Sequence, residues 1–148
     1  MIMVPVMILQ IFLFPYVATI ITDNWTNQHR NFELQDVAGH LASSIQQMYL
    51  SINRADTSCT MKLTLDLPIS IDQYGYTITL AHGTQVDSSY KVMNITLSYI
   101  STQGTYSTLV TLGNNIDWNT ITFNSTSTNL ALVATETSGN ITLTLGGA

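Results

Sequence analysis

The first 22 residues of this 148-residue chain contain no charged side chain, and Asp23 is the first charged one. As a helix rising about 1.5 Å per residue, the segment would be about 33 Å long, enough to cross the apolar core of a bilayer. Sixteen of its residues are large and apolar, and leaving them in water would cost at most about 25–50 kcal/mol. Residues 1–22 must therefore be buried in lipid or in protein.

Two ordinary uses of such a segment fit it poorly. A secretory signal peptide has a basic start and a shorter apolar stretch, whereas the first basic side chain here is Arg30. The absence of basic residues beside the segment also argues against a simple membrane anchor, since cytoplasmic Lys and Arg residues set the topology of membrane helices. Burial among other protein helices is the better explanation.

The apolar pattern continues past the uncharged segment as a helical stripe. Between residues 31 and 53, the following residues recur at steps of three or four: Leu34, Val37, Leu41, Ile45, Met48 and Ile52. Pro15 should free the carbonyl of Ile11 and kink the helix. We expect one long polymerisation helix over residues 1–54, of which 50 residues would extend about 75 Å. Its partners are other chains.

From Thr57 onward, apolar and polar residues alternate instead. Short alternating runs with turn signals between them predict strands at 61–67, 76–80, 91–99, 106–112, 118–123, 130–135 and 140–145. Seven such strands are typical of an antiparallel β-sandwich. The sequence therefore predicts an α+β chain, in which the helix precedes a Thr-rich, Ig-like β-sandwich over residues 58–148.

The charge of the chain excludes one class of partner. Only 9% of the residues are charged, against about 25% in soluble domains. Four basic and nine acidic residues give a net charge of −5, whereas phosphate binding needs clustered Lys and Arg. We expect no nucleic-acid partner.

Four Asn-X-Ser/Thr triplets begin at Asn24, Asn94, Asn124 and Asn140, and each is an acceptor for an N-linked glycan if the chain is exported. The alternation within residues 91–99 places Asn94 on the outer face of a strand, and Asn140 likewise opposes apolar neighbours. We expect at least two of the four sites to be glycosylated. Covalent N-glycans would hydrate a β-domain that has few charges.

One group of side chains has the spacing of a metal site. His29, Glu33, Asp36 and His40 lie on one arc of the helix, because they are spaced four, three and four apart. Two imidazoles and two carboxylates in that order could hold a divalent metal. An amphipathic helix also needs a solvated polar stripe, and we expect that plainer role. No metal or other cofactor is predicted.

No catalytic motif is present. The sequence lacks a G-x-S-x-G elbow, an H-E-x-x-H pair and a glycine-rich phosphate loop. His82 falls in an expected Ala-His-Gly turn, and Cys59 has no basic neighbour closer than Lys62 or Arg54. The single cysteine also excludes an internal disulfide and paired-Cys zinc sites. We expect no enzymatic activity and no small-molecule substrate.

The order of these parts resembles archaeal type IV pilins and the related archaellum filament proteins. In both, an uncharged apolar helix continues into an amphipathic stretch and then a Thr-rich β-domain with glycosylation triplets. Residues 63–80, LTLDLPISIDQYGYTITL, look like the first β-hairpin after the helix in archaeal pilin-like proteins. In that family a peptidase removes a short basic leader, which implies that Met1 is the first mature residue. The bacterial branch carries a glutamate near the helix start, and residues 1–22 have none.

The resemblance implies a structural subunit of an extracellular surface filament that serves adhesion. The subunit would lie in the membrane before assembly and would then form a homo-oligomer, because packed helices of other copies replace the lipid. Head-to-tail contacts that do not close give an open filament. The expected filament-core residues are Ile2, Val6, Ile8, Leu9, Phe12, Leu13, Phe14, Val17, Ile20, Leu34, Val37, Leu41, Ile45 and Met48.

Two alternatives stay open. A membrane-anchored accessory protein, similar to the stator components of archaeal filaments, would share the helix and the sandwich, but an anchor needs no second apolar stripe. A secreted carbohydrate-binding module would need exposed aromatic side chains on the sandwich. The tyrosines and Trp118 mostly alternate into the expected strand cores.

Overall fold

The computed structural model describes residues 3–55, 58–84, 88–127 and 130–147, and within residues 3–12 it describes side chains only for Gln10 and Ile11. One helix, α1, runs from Met3 to Ile52 and continues through Pro15 without a break. The long helix is confirmed, and a bend at Pro15 stays a prediction.

Eight strands follow the helix within the described residues. They are β1 Thr60–Thr64, β2 Tyr76–His82, β3 Tyr90–Tyr99, β4 Thr105–Gly113, β5 Ile116–Trp118, β6 Ile121–Asn124, β7 Leu130–Thr137 and β8 Asn140–Gly147. They form two four-stranded sheets, with strand orders β1-β7-β8-β5 and β4-β3-β2-β6. The α+β class, with a helix followed by two sheets, is confirmed.

The stretch predicted as one strand over residues 118–123 is two strands in different sheets. Trp118 and Ile121 are both buried although they lie three positions apart, which a single strand of period two cannot achieve. The chain therefore crosses from one sheet to the other at residues 119–120. As a result β5 runs parallel to β8, pairing Ile116 with Ile141, so the sheets are not wholly antiparallel as predicted.

Helix and sheets share one hydrophobic core. The helix packs chiefly on β4 and also contacts β1, β3 and β7. Strands β1 and β4 are each an edge of their sheet, so α1 covers the side of the two sheets where these edges lie. The buried core combines the alternating residues of both sheets with one face of the helix, formed by Leu34, Ala38, Leu41, Ile45, Met48 and Ile52.

Two clusters of polar contacts fasten this part of the helix. At the N-terminal end of the packed stretch, Arg30 forms an ion pair of 3.2 Å with Asp72, and its guanidinium lies 4.7 Å above the Tyr74 ring. The Tyr99 hydroxyl donates a hydrogen bond to the Arg30 carbonyl. Near the C-terminal end of α1, the Tyr49 hydroxyl donates a hydrogen bond to Asn115 Oδ1 at 2.9 Å. The expected boundary near residue 54 thus cuts through a single packed unit.

Candidate assembly surface and glycosylation sites

The helix between residues 10 and 33 carries large apolar side chains that the rest of the described chain leaves exposed. Phe14, Trp25 and Phe32 are 81%, 77% and 64% exposed, although large aromatic side chains usually lie inside. Further exposed apolar side chains on this segment are Ile11, Leu13, Tyr16, Val17, Ile20 and Ile21. Covering all nine would be worth on the order of 10 kcal/mol, comparable with the whole stability of a domain.

Four of these residues define a second apolar face on the same helix. At about 100° per residue, Phe14, Ile21, Trp25 and Phe32 lie within about 20° of one line along the helix. The buried residues that begin at Leu34 lie about 160–240° away from that line. We call the first set the outer face and the buried set the inner face. The inner face is occupied by the chain's own sheets, and the outer face is open.

The outer face has open grooves along it. One, of about 620 Å³, is lined by Thr22, Trp25, Thr26, Gln28, His29, Phe32 and Asp72. It combines two exposed aromatic rings with polar side chains. Another, of about 820 Å³, is lined by Gln10, Ile11, Leu13, Phe14, Pro15 and Val17. Side chains of a neighbouring molecule could fill either groove.

Part of the predicted filament core is corrected by this arrangement. Leu34, Leu41, Ile45 and Met48 are at most 4% exposed and pack within the subunit, and Val37 packs beside them. The four buried residues are therefore not open to another chain, and Val37 is open only in part. The sequence shows that the stripe needs a cover, and β4 with its neighbours supplies it.

The remaining residues of the predicted filament core are either exposed on α1 or lie outside the residues that the structure describes. Leu13, Phe14, Val17 and Ile20 are exposed. Ile2 and the side chains of Val6, Ile8, Leu9 and Phe12 lie outside the described residues. Within the part that the structure describes, no helical stretch reaches the length and hydropathy of a membrane span.

The four glycan acceptors differ in accessibility. Asn24 on α1, Asn124 at the end of β6 and Asn140 at the start of β8 are exposed. Asn94 on β3 is half-buried, and its Oδ1 is buried without a hydrogen-bond partner. The expectation that Asn94 points fully outward is thus met only in part.

The structure does not assemble the helical His and carboxylate residues into a cluster. His29 Nε2 lies 3.3 Å from Glu33 Oε1, and both side chains are substantially exposed. Asp36 and His40 are exposed on the next turns. Among the described residues, no three His, Cys, Asp or Glu side chains are placed to bind one metal ion.

His82 and the buried Tyr76 are both held in structural contacts. His82 ends β2 and stacks on Trp118 with 4.5 Å between ring centroids, and its Nε2 lies 2.8 Å from the Trp118 carbonyl oxygen. Burial, followed by the nearby Tyr99 hydroxyl, raises the pKa of Tyr76 to about 12. The Tyr76 hydroxyl donates to the Pro68 carbonyl at 2.7 Å. These groups fasten the fold and present no nucleophile beside a base.

The predicted filament core includes Phe14 but misses the continuation of the outer face to Trp25 and Phe32. Its signal was present, since Trp25 and Phe32 are seven residues apart and lie beyond the uncharged segment.

Comparison with known proteins gives no family model that matches the chain, no matching curated protein and no matching solved structure.

Proposed function

We propose that this chain is the structural subunit of an extracellular filament of the archaeal type IV pilus kind, and that the filament serves adhesion. The observation that supports this most directly is the uncovered outer face of α1. Phe14, Trp25 and Phe32 expose most of their surface, and no other described part of the chain approaches them closely enough to bury them.

Packing between copies of the helix would cover this surface. Residues 10–21 are apolar around most of the helix, so each copy can contact several neighbours at this level. The inner face is already filled by the subunit's own sheets. A copy that contacts one neighbour through the outer face and another through a different side forms a head-to-tail series, which grows as an open filament.

The two sheets would form the sheath of the filament. We propose that they pack as an Ig-like sandwich, which lies outside the helix bundle because it is on the opposite side of α1 from the outer face. Exposed threonines, together with N-glycans on Asn24, Asn124 and Asn140, would hydrate it. Before assembly, the uncharged residues 1–22 would lie in the bilayer, as their sequence favours.

A membrane-anchored accessory protein is the competing proposal. The apolar inner face does not distinguish a filament subunit from an accessory protein, because in either protein it would pack against the subunit's own sheets. Phe32 makes the distinction instead. It lies ten residues beyond the uncharged segment, about 15 Å further along the helix. That is outside the interfacial belt in which a membrane anchor also places aromatic rings such as Trp25, whereas a helix bundle would bury the Phe32 ring.

Replacing Phe14 by Asp tests the filament directly. In a bundle the new carboxylate would be buried without a partner, at a cost of several kcal/mol, so filaments should be absent from sheared cell fractions in negative-stain micrographs. Phe14→Leu, which stays apolar, and Thr137→Asp, which adds the same charge at the exposed end of β7, should both form filaments. Normal filaments from Phe14→Asp would contradict the proposal, and wild-type protein found only in membranes would favour the accessory role.

A further inference from the structure

The outer side of the β4-β3-β2-β6 sheet carries eight uncharged hydroxyl and amide side chains in two rows. The pairing register aligns them across all four strands. The first row consists of Asn124, Thr77, Ser98 and Thr105. The second row consists of Thr122, Thr79, Thr96 and Ser107.

Hydrogen bonds within the rows hold these side chains in place. In the first row the Thr77 hydroxyl donates to Asn124 Oδ1 at 3.0 Å, and the Thr105 hydroxyl donates to Ser98 Oγ at 3.3 Å. Two further hydroxyl pairs, at 2.9 and 3.3 Å, join the members of the second row. Each bond uses one proton of its pair, so each pair keeps at least one N–H or O–H for a ligand above the sheet.

The first row begins at a glycan acceptor. Asn124 is exposed, and because its Oδ1 is held by Thr77, the Nδ2 atom that would carry a sugar is left for the linkage. The next residue fixes the turn, since Ser125 Oγ accepts the Tyr76 N–H at 3.0 Å and donates to the Ile69 carbonyl at 2.7 Å. The acceptor is therefore held at the end of the row.

We propose that Asn124 carries an N-linked glycan that lies across the first row, over Thr77, Ser98 and Thr105. The inference rests on the extracellular location in the proposed function. Neighbouring strands are about 4.8 Å apart, close to the length that one pyranose ring and its linkage add to an extended sugar chain. Successive rings would then lie over β2, β3 and β4, with their hydroxyls bonded to the row.

The other acceptors lack this arrangement. Asn94 is on the same sheet, opposite Ala81 and Leu109, but its Oδ1 is buried and its side chain is only half-exposed. Asn140 is exposed on β8 of the other sheet. The rows contain no charged residue, so neutral sugars fit them better than acidic ones.

Glycopeptide mass spectrometry of the protein from its own cells gives the first test. Asn124 should be occupied in most copies, and more fully than Asn94. The structure of the glycosylated protein, in filaments or in detergent, should then show at least two ordered sugar rings over β2 and β3. In a Ser98→Ala/Thr105→Val variant the glycan mass on Asn124 should be unchanged, while the ordered rings are lost.

Three results would overturn the inference: an unmodified Asn124, a glycan that extends away from the sheet, or rings that stay equally ordered in the double variant. Thr111→Val, on β4 outside both rows, is the matched control and should leave the rings in place. Glycopeptide occupancy does not depend on assembly. Absent filaments with an occupied, ordered Asn124 glycan would therefore count against the filament alone.

Discussion

The inner and outer faces of α1 have similar side chains and opposite surroundings. On the inner face, Leu34 and Leu41 are buried beneath β4 and its neighbours, whereas on the outer face Phe14 and Trp25 meet solvent in the single subunit. Periodicity alone therefore does not tell what covers an apolar face. The comparison separates two properties: inner-face residues should determine the stability of the subunit, and outer-face residues should determine its assembly.

The largest expected effect is on the inner face. Leu41→Ala removes a fully buried side chain and leaves a cavity, so it should lower the free energy of unfolding by about 2–5 kcal/mol. Chemical denaturation of the full chain in detergent, followed by circular dichroism, measures this. Phe14→Ala, made alongside, should change subunit stability by less than about 0.5 kcal/mol. Equal losses in both variants would remove the distinction between the faces.

The next effect concerns assembly. Trp25→Ser and Phe32→Ser should weaken filaments, because each removes an aromatic ring that is exposed in the subunit and buried in the proposed contact, worth about 1.5–3 kcal/mol per ring. Filament melting, followed by light scattering against temperature, should show a lower midpoint. The control Gln46→Ser alters an exposed polar residue of the same helix. Unchanged melting of both aromatic variants would confine the contact to residues 1–22.

A smaller effect is expected at Arg30, which lies at the N-terminal end of the inner face. Arg30→Ala removes the ion pair with Asp72 and the contact with the Tyr74 ring, so stability should fall by about 1–2 kcal/mol. Arg30→Lys should recover only part of the loss, since an ammonium lacks the planar stacking surface. Full recovery by Lys would show that charge alone matters here.

The last effect is absent near neutral pH and appears only at high pH. Burial raises the pKa of both Tyr76 and Tyr99 to about 12, with smaller contributions from Tyr99 on Tyr76 and from Glu33 on Tyr99. The unfolded phenols ionise near pH 10, so this stabilisation is complete below pH 10 and is lost as pH rises towards 12. Thermal melts from pH 8 to 11.5 should show the decline, and Tyr76→Phe should reduce its slope. An identical slope in the variant would refute the assignment to Tyr76.

Much of the fold follows from the sequence. The steps of three and four predict the helix, and the alternation predicts most strands to within a few residues. The parallel β5 and the crossing at residues 119–120 were missed because they depend on which sheet each segment joins. The only sequence signal of the crossing is the spacing of three residues between Trp118 and Ile121, which are both buried.

The candidate site was harder to predict. Residues 10–21 are apolar almost all round, so no single face stands out there. Leu34 and Met48 were assigned to the filament because the sequence does not show that β4 and its neighbours cover them. The two hydroxyl rows depend on strand register, and no local pattern in β2 or β3 reveals that Thr77, Ser98 and Asn124 fall in one line.

The shared core of helix and sheets fixes where the chain can be shortened for work in solution. A fragment beginning near residue 58 would expose the sheet residues that Leu34, Ile45 and Ile52 cover, and we expect it to aggregate. A fragment beginning near residue 28 would keep the inner face and Arg30 with its contacts. It would omit most of the exposed apolar helix, so we expect it to stay in solution without the segment that we propose for assembly.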